Sequence, residues 1–340
     1  MPTLSTLRSL TSDGRLLFVT RSIRLFAYGA LSVVLVFYLV GLGLTEPQTG
    51  LLLTLTLAGD TAVSLLLTTR ADRFGRRRTL MAGALLMIGA GLIFAWTRSF
   101  WLLLVAGTLG VISPSGNEVG PFLPIEQAAL SHVVRDRART EVFGWYALAG
   151  SLATALGSLA GGALTRVPDH LAADVVGAYR GVIVLYAALG VVLLVLFSRL
   201  SPAAEPGSAG LPTDRPLAPH WLGGLHRSRR VVMSLSGLFA LDAFAGGFVV
   251  QSFAAYWFHL RFGINPDALG AIFFGANLLA GLSALVAARL AARFGLITTM
   301  VATHVPSNVL LALVPVMPTL PLAVLVLLVR FSISQMDVPT

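Results

Sequence analysis

Six ionisable residues lie in or at the edge of apolar runs that should hold none: Arg24, Asp60, Glu118, Asp242, Arg330 and Asp337. A charge at the centre of a membrane helix costs about 2.5–3.5 kcal/mol on insertion scales, so it faces a cavity or a partner. The chemistry open to such carboxylates is binding and releasing a proton or cation, or holding an arginine. Glu118 follows Ser113-Pro-Ser-Gly-Asn117, where Pro114, Gly116 and Pro121 should break a helix and free backbone carbonyls beside the acid. Asp337 occupies a similar setting, Ser332-Ile-Ser-Gln335-Met-Asp-Val-Pro339, with Arg330 nearly two turns earlier. Asp60 lies midway along another run, and Asp242 shares one with Gln251. Asn117, Gln251 and Gln335 are the neutral hydrogen-bonding groups at these places.

Two readings stay open for several of them. Glu118 and Asp337 are candidate proton- or cation-coupling carboxylates with Arg330 as counter-charge, or Glu118 forms an ion pair at an inner gate. Arg24 and Asp242, both placed near helix ends on one side, suggest a gate pair. Asp60 is either a cavity residue or a structural hydrogen-bonding group. Glu126 and Gln127 precede an amphipathic stretch, Ser131–Thr140, which suggests an interfacial position. His304, near Pro306 and Asn308, reads as a packed polar residue. Enzyme signatures are missing: there is no phosphate-cradling Gly-rich loop with Lys, no His-Glu-x-x-His, and no Gly-x-Ser-x-Gly. No metal site or cofactor is expected.

The elements that must position these groups are long apolar helices. The chain is 56% hydrophobic and 11% charged, against about 25% charged for a soluble domain. Ten runs approach or exceed the ~20 residues needed to cross a bilayer: about 24–43, 47–69, 79–97, 100–122, 142–164, 180–198, 232–257, 267–288, 297–317 and 320–339. This is an all-α polytopic membrane protein. All 24 basic residues are arginine. With the N-terminus inside, 19 fall in cytoplasmic segments and four in outer loops (Arg98, Arg166, Arg180, Arg261), which satisfies the positive-inside rule. The net charge of +9 then reports topology and contact with anionic lipid, with no nucleic-acid partner implied. Residues 1–20 are polar and carry no signal-peptide core. The chain has no cysteine.

A Pro-, Gly- and Ala-rich stretch, 200–231, reads as a cytoplasmic linker between a six-helix half (21–199) and a second half (232–340) with four helices. Near-constant shifts relate the two. A shift of 220 aligns Asp72-Arg-Phe-Gly75 with Ala292-Arg-Phe-Gly295; 218 aligns Phe26-Ala-x-Gly29 with Phe244-Ala-x-Gly247; 219 aligns Ser115-x-x-Glu118 with Ser334-x-x-Asp337. By the repeat, two more helices would follow Thr340, so a C-terminally shortened twelve-helix plan is expected, against the alternative of a native ten-helix protein.

The run Arg70-Ala-Asp-Arg-Phe-Gly-Arg-Arg-Arg78 joins two spans through a very short cationic turn. It resembles the loop 2–3 signature of the major facilitator superfamily of transporters, Gly-x-x-x-Asp-Arg-x-Gly-Arg-Arg, with Thr68 in place of the leading glycine. The resemblance implies two pseudo-symmetric six-helix halves, of which ten helices are present here, and alternating access between them. It implies that Asp72 and Arg73 stabilise a cytoplasmic gate, that Gly75 allows the turn, and that Arg76 pairs with an acid or a helix C-terminus. Arg77 and Arg78 read as topology signals. Gly144, Ala153, Gly157, Ser158, Gly161 and Gly162 are similar to the family's antiporter motif, with Ala153 and Ser158 replacing a glycine and the proline; small residues at this spacing also serve plain packing. The resemblance implies proton-coupled efflux of a small organic molecule by a monomer in the cell membrane. Uptake symport of a sugar, nucleoside or organic acid is the alternative, and a non-transporting sensor or assembly partner is the alternative of another class.

Overall fold

The computed structural model describes residues 10–134, 139–166, 175–205 and 249–335, with 230, 233, 234, 236–238, 240, 241 and 244 between them. The described residues form helices only. In chain order these are α1 (Ser12–Gly41), α2 (Glu46–Phe74), α3 (Arg76–Trp96), α4 (Phe100–Leu109), α5 (Phe122–Val133), α6 (Arg139–Leu164), α7 (Val175–Phe197), α8 (Gln251–Phe262), α9 (Pro266–Phe294), α10 (Leu296–Leu313) and α11 (Leu320–Phe331). Seven of them are long and apolar enough to cross a membrane: α1, α2, α3, α6, α7, α9 and α10, the last running on to Val316.

Local signals explain the boundaries. Thr11 caps α1 by accepting the Gly14 N–H at 3.1 Å, and Asp13 in the first turn suits the helix dipole. The Thr45 and Gln48 side chains close a capping box at the start of α2. Between α2 and α3 stands a single residue, Gly75, at φ 94°, where a side chain would be strained. Gly295 repeats this between α9 and α10 at φ 88°. Both bounds of α9 equal those of α2 shifted by 220 residues, so the repeat extends over this whole helix and its turn.

Expected boundaries move in the first, fourth and seventh spans. The first helix begins at Ser12 rather than near residue 24, so Arg21 and Arg24 lie inside it. Arg24 is twelve residues from its start, about 18 Å along the axis, not at a helix end. The fourth span is broken: α4 ends at Leu109, residues 110–121 are not helical, and α5 carries the chain on to Val133. Glu126 consequently lies in the helix that follows the break and is fully buried. In the seventh span residues 249–250 interrupt the helix, which resumes as α8 and runs five residues past its expected end.

The bundle is organised around α1, which packs on α5, α6, α7, α8 and α9. Its most apolar window is 83% buried, whereas that of α2 is 22% buried, so among the described residues α1 is central and α2 peripheral. Contacts between helices are backbone to backbone. A Cβ on Gly29 would lie 2.2 Å from the Thr154 carbonyl oxygen, and one on Gly157 would lie 2.1 Å from that of Phe26. Without a hydrophobic drive in lipid, such close approach is what holds helices together. Trp96 and Trp101 stand exposed at the α3–α4 turn, where indoles favour the membrane interface.

Candidate functional site

The arginine-rich face comes first, since the signature turn lies there. Asp72 and Arg76 form an i,i+4 ion pair at 3.1 Å, with the Asp72 side chain 69% exposed and that of Arg76 7% exposed. Arg73 is exposed. Gly75 leaves α3 without a side-chain cap. Glu205 supplies it from the far end of the half, accepting the backbone N–H groups of Arg76 at 2.7 Å and Arg77 at 3.0 Å. The Arg76 guanidinium also donates to the Ala204 carbonyl at 3.3 Å and lies 3.3 Å from His132. Next to Glu205, Ser201 donates its N–H and hydroxyl to the buried carboxylate of Asp13 at the start of α1. Residues Ser201–Glu205, expected to begin the linker, are thus folded onto α1 and α3.

Deeper in the bundle, α1 brings two arginines to two glutamates. Arg24 is wholly buried and grips Glu126 with Nη1 and Nη2, both at 2.7 Å. The same guanidinium donates to Glu118 through Nε and Nη2, both at 3.1 Å. Arg21 Nη1 lies 3.0 Å from Glu118 Oε1, and its guanidinium stacks 4.4 Å over the Tyr146 ring. Tyr146 from α6 and Thr20 from α1 both donate hydroxyls to Glu126. Two positive and two negative charges thus balance inside the helix bundle, and the forked guanidinium suits paired carboxylates. The glutamates differ in access: Glu126 is closed off, while the Glu118 side chain is 15% exposed.

Arg24 is therefore engaged by Glu118 and Glu126; its expected mate Asp242 lies outside the described residues. Sequence reasoning missed Arg21, Glu126, Tyr146 and Thr20 in this cluster. The available signal was the Arg21–Arg24 spacing of three, which puts both on one side of a helix.

The unwound run 110–121 is held by side chains from helices around it, as a bilayer interior demands of freed backbone groups. Asp60 accepts the Gly120 N–H at 2.6 Å. Tyr28 donates to the Val119 carbonyl at 3.4 Å, and Tyr186 donates to that of Val111. The Ser113 hydroxyl closes the loop onto the Asn117 carbonyl at 2.7 Å. Asn117 itself is exposed.

Across this break the second half docks. The Ser252 N–H and hydroxyl both donate to the Pro114 carbonyl, at 3.0 and 2.7 Å, and the hydroxyl is also 2.8 Å from the Ser32 carbonyl. Gln251 donates to the hydroxyls of Ser32 at 2.7 Å and Ser158 at 3.2 Å, and accepts from Asn277 at 3.2 Å. Towards the opposite face, Phe37 packs edge-on against Tyr256 and His259, and Arg166 pairs with Asp267. In the antiporter-like motif, Gly157 and Gly161 lie against the α1 backbone, Gly162 lies against Pro266 and Gly270 of α9, and Gly144 has open space around it. Arg330, half-buried at the end of α11, lies over the Phe331 ring at 4.6 Å, apart from the α1 cluster. Gln335 is half-buried in the following turn, and Asp337 lies outside the described residues. His304 is half-buried in α10.

The chain is 34% identical over 351 residues to an uncharacterized membrane protein of Saccharomyces cerevisiae, YJR124C, covering 96% of this chain and 78% of that one. It is 31% identical over 94 residues to a Na(+), Li(+), K(+)/H(+) antiporter of Planococcus maritimus, covering 28% of this chain and 22% of that one. The fold is similar to the xylose transporter XylE from E. coli, with a TM-score of 0.67 at 13% identity, covering 97% of this chain and 83% of that one. A family model described as Major Facilitator Superfamily matches residues 17–336. With that match over nearly its whole length, this multi-pass membrane protein belongs to the Major Facilitator Superfamily.

Proposed function

We propose that the protein moves a small organic solute by alternating access between its two halves in exchange for protons, with Glu118 as the coupling carboxylate. The arginine-rich face is then cytoplasmic and the membrane is the cell membrane. The observation that carries this reading is the asymmetry of the two acids sharing Arg24: the Glu126 side chain is wholly buried, and that of Glu118 is partly exposed. When ionised, Glu118 completes a neutral set of four charges. A proton on Glu118 leaves Arg21 and Arg24 facing Glu126 alone, an uncompensated positive charge that low dielectric penalises. Parting of the halves on the arginine-rich side hydrates that charge, and proton release restores the closed pairing. Exchange rather than co-transport is favoured by the local similarity to a cation/proton antiporter and by the antiporter-like glycines on α6.

The test is flux through the full chain in proteoliposomes under an imposed pH gradient. In Glu118→Gln, gradient-driven flux should fall by about tenfold or more while exchange without a gradient persists. Unchanged dependence on the gradient in that variant would sink the coupling role.

A further inference from the structure

We infer that the transported solute is uncharged and hydrogen-bonding, and that it is received where the broken fourth span meets the broken seventh. This rests on the transport reading above and names its substrate class. Two interrupted helices satisfy each other here. Ser252 lies in the first turn of α8, where backbone N–H groups have no partner within the helix. Its N–H goes to the Pro114 carbonyl, itself freed by the gap between α4 and α5. Around that contact stand Gln251, Asn277, Ser32 and Ser158, all buried, and all amides or hydroxyls.

When the halves separate at this level, the Pro114 carbonyl, the Ser252 N–H and the Gln251 amide lose these partners together. In a membrane interior such groups cannot be left bare. Water or the solute must replace them, and a solute that presents both donors and acceptors does so with least loss. Among the described side chains that meet at this junction none is charged, so a net charge on the solute would face only dipoles there. Glu118 is held by Arg21 and Arg24, and Glu126 by Arg24. Asp60 accepts a backbone N–H at the far end of the unwound run. The positive end of α8 is already met by a neutral carbonyl dipole. The junction is therefore built for polyols, amides or nucleoside-like compounds rather than for organic ions.

The experiment is a thermal-shift panel on the purified full chain with four probes: neutral ribitol, neutral uridine, anionic benzoate and cationic tetraphenylphosphonium. At saturating concentration a neutral probe should raise Tm by about 2–4 °C, and Gln251→Ala should remove most of that shift. Should Gln251→Ala fail to fold, Ser252→Ala serves as the second variant. Stabilisation by a charged probe that depends on Gln251 overturns the inference. So does stabilisation by neither neutral probe, or a neutral shift that survives both variants. If flux ignores the pH gradient while a neutral shift stays Gln251-dependent, the coupling reading falls and the substrate class stands.

Discussion

Two arginines of the first half, Arg24 and Arg76, are both nearly sealed from solvent, yet they are held in opposite ways. Arg24 has its acids 94 and 102 residues away, one within a helix break and one beyond it, and binds both through its guanidinium. Arg76 has an acid four residues back, on its own turn, and a second acid, Glu205, accepts its backbone N–H. The first is a tertiary device in which every charge depends on another in low dielectric. The second is a helix-terminus device at the membrane edge, where water can replace what is lost. Similar burial of the arginine therefore conceals a large difference in energy.

Substitutions that remove one member at a time would test that difference. Arg24→Met strands Glu126 and leaves Glu118 to Arg21 alone, and should cost about 3–5 kcal/mol, read as loss of folded protein in detergent; adding Glu126→Gln should recover part of it. Recovery of nothing would mean that the arginine acts by packing over Phe122 rather than by charge. At the turn, Glu205→Ala removes a carboxylate cap from α3 and should cost about 1 kcal/mol, measured by denaturant unfolding. A cost as large as that of Arg24→Met would erase the contrast. The smallest effect belongs to Asp72→Asn, an exposed i,i+4 pair worth about 0.3–0.5 kcal/mol. A larger loss would place Asp72 in contacts beyond Arg76.

The same contrast explains what could be read from residue order. Arg76, Gly75 and Asp72 stand together in a nine-residue run, so their turn is local and legible. The break near Glu118 was legible too, because Pro114, Gly116 and Pro121 act on the backbone where they stand. The partners of Arg24 were not. Glu126 follows Pro124 and leads into an amphipathic stretch, which locally signals an interface; only the break in the span brings it against Arg24. Glu205 lies in a segment whose composition signals a linker, and nothing nearby in sequence marks it as the cap of a helix that begins at residue 76. Ser252 and Pro114 meet only because the halves close on each other.

The first helix bears on how the protein is made. It carries Arg21 and Arg24 within its crossing length, at about 2.5–3.5 kcal/mol each near a helix centre. The first acid that can neutralise them follows 94 residues later. At about 5–20 residues per second of synthesis, the ribosome needs on the order of 5–20 s to deliver Glu118. Through that interval α1 must keep its arginines at the headgroups or in the insertion machinery. The acids that neutralise these arginines arrive only with the fourth span, so the central helix of the bundle is made well before its charges are balanced.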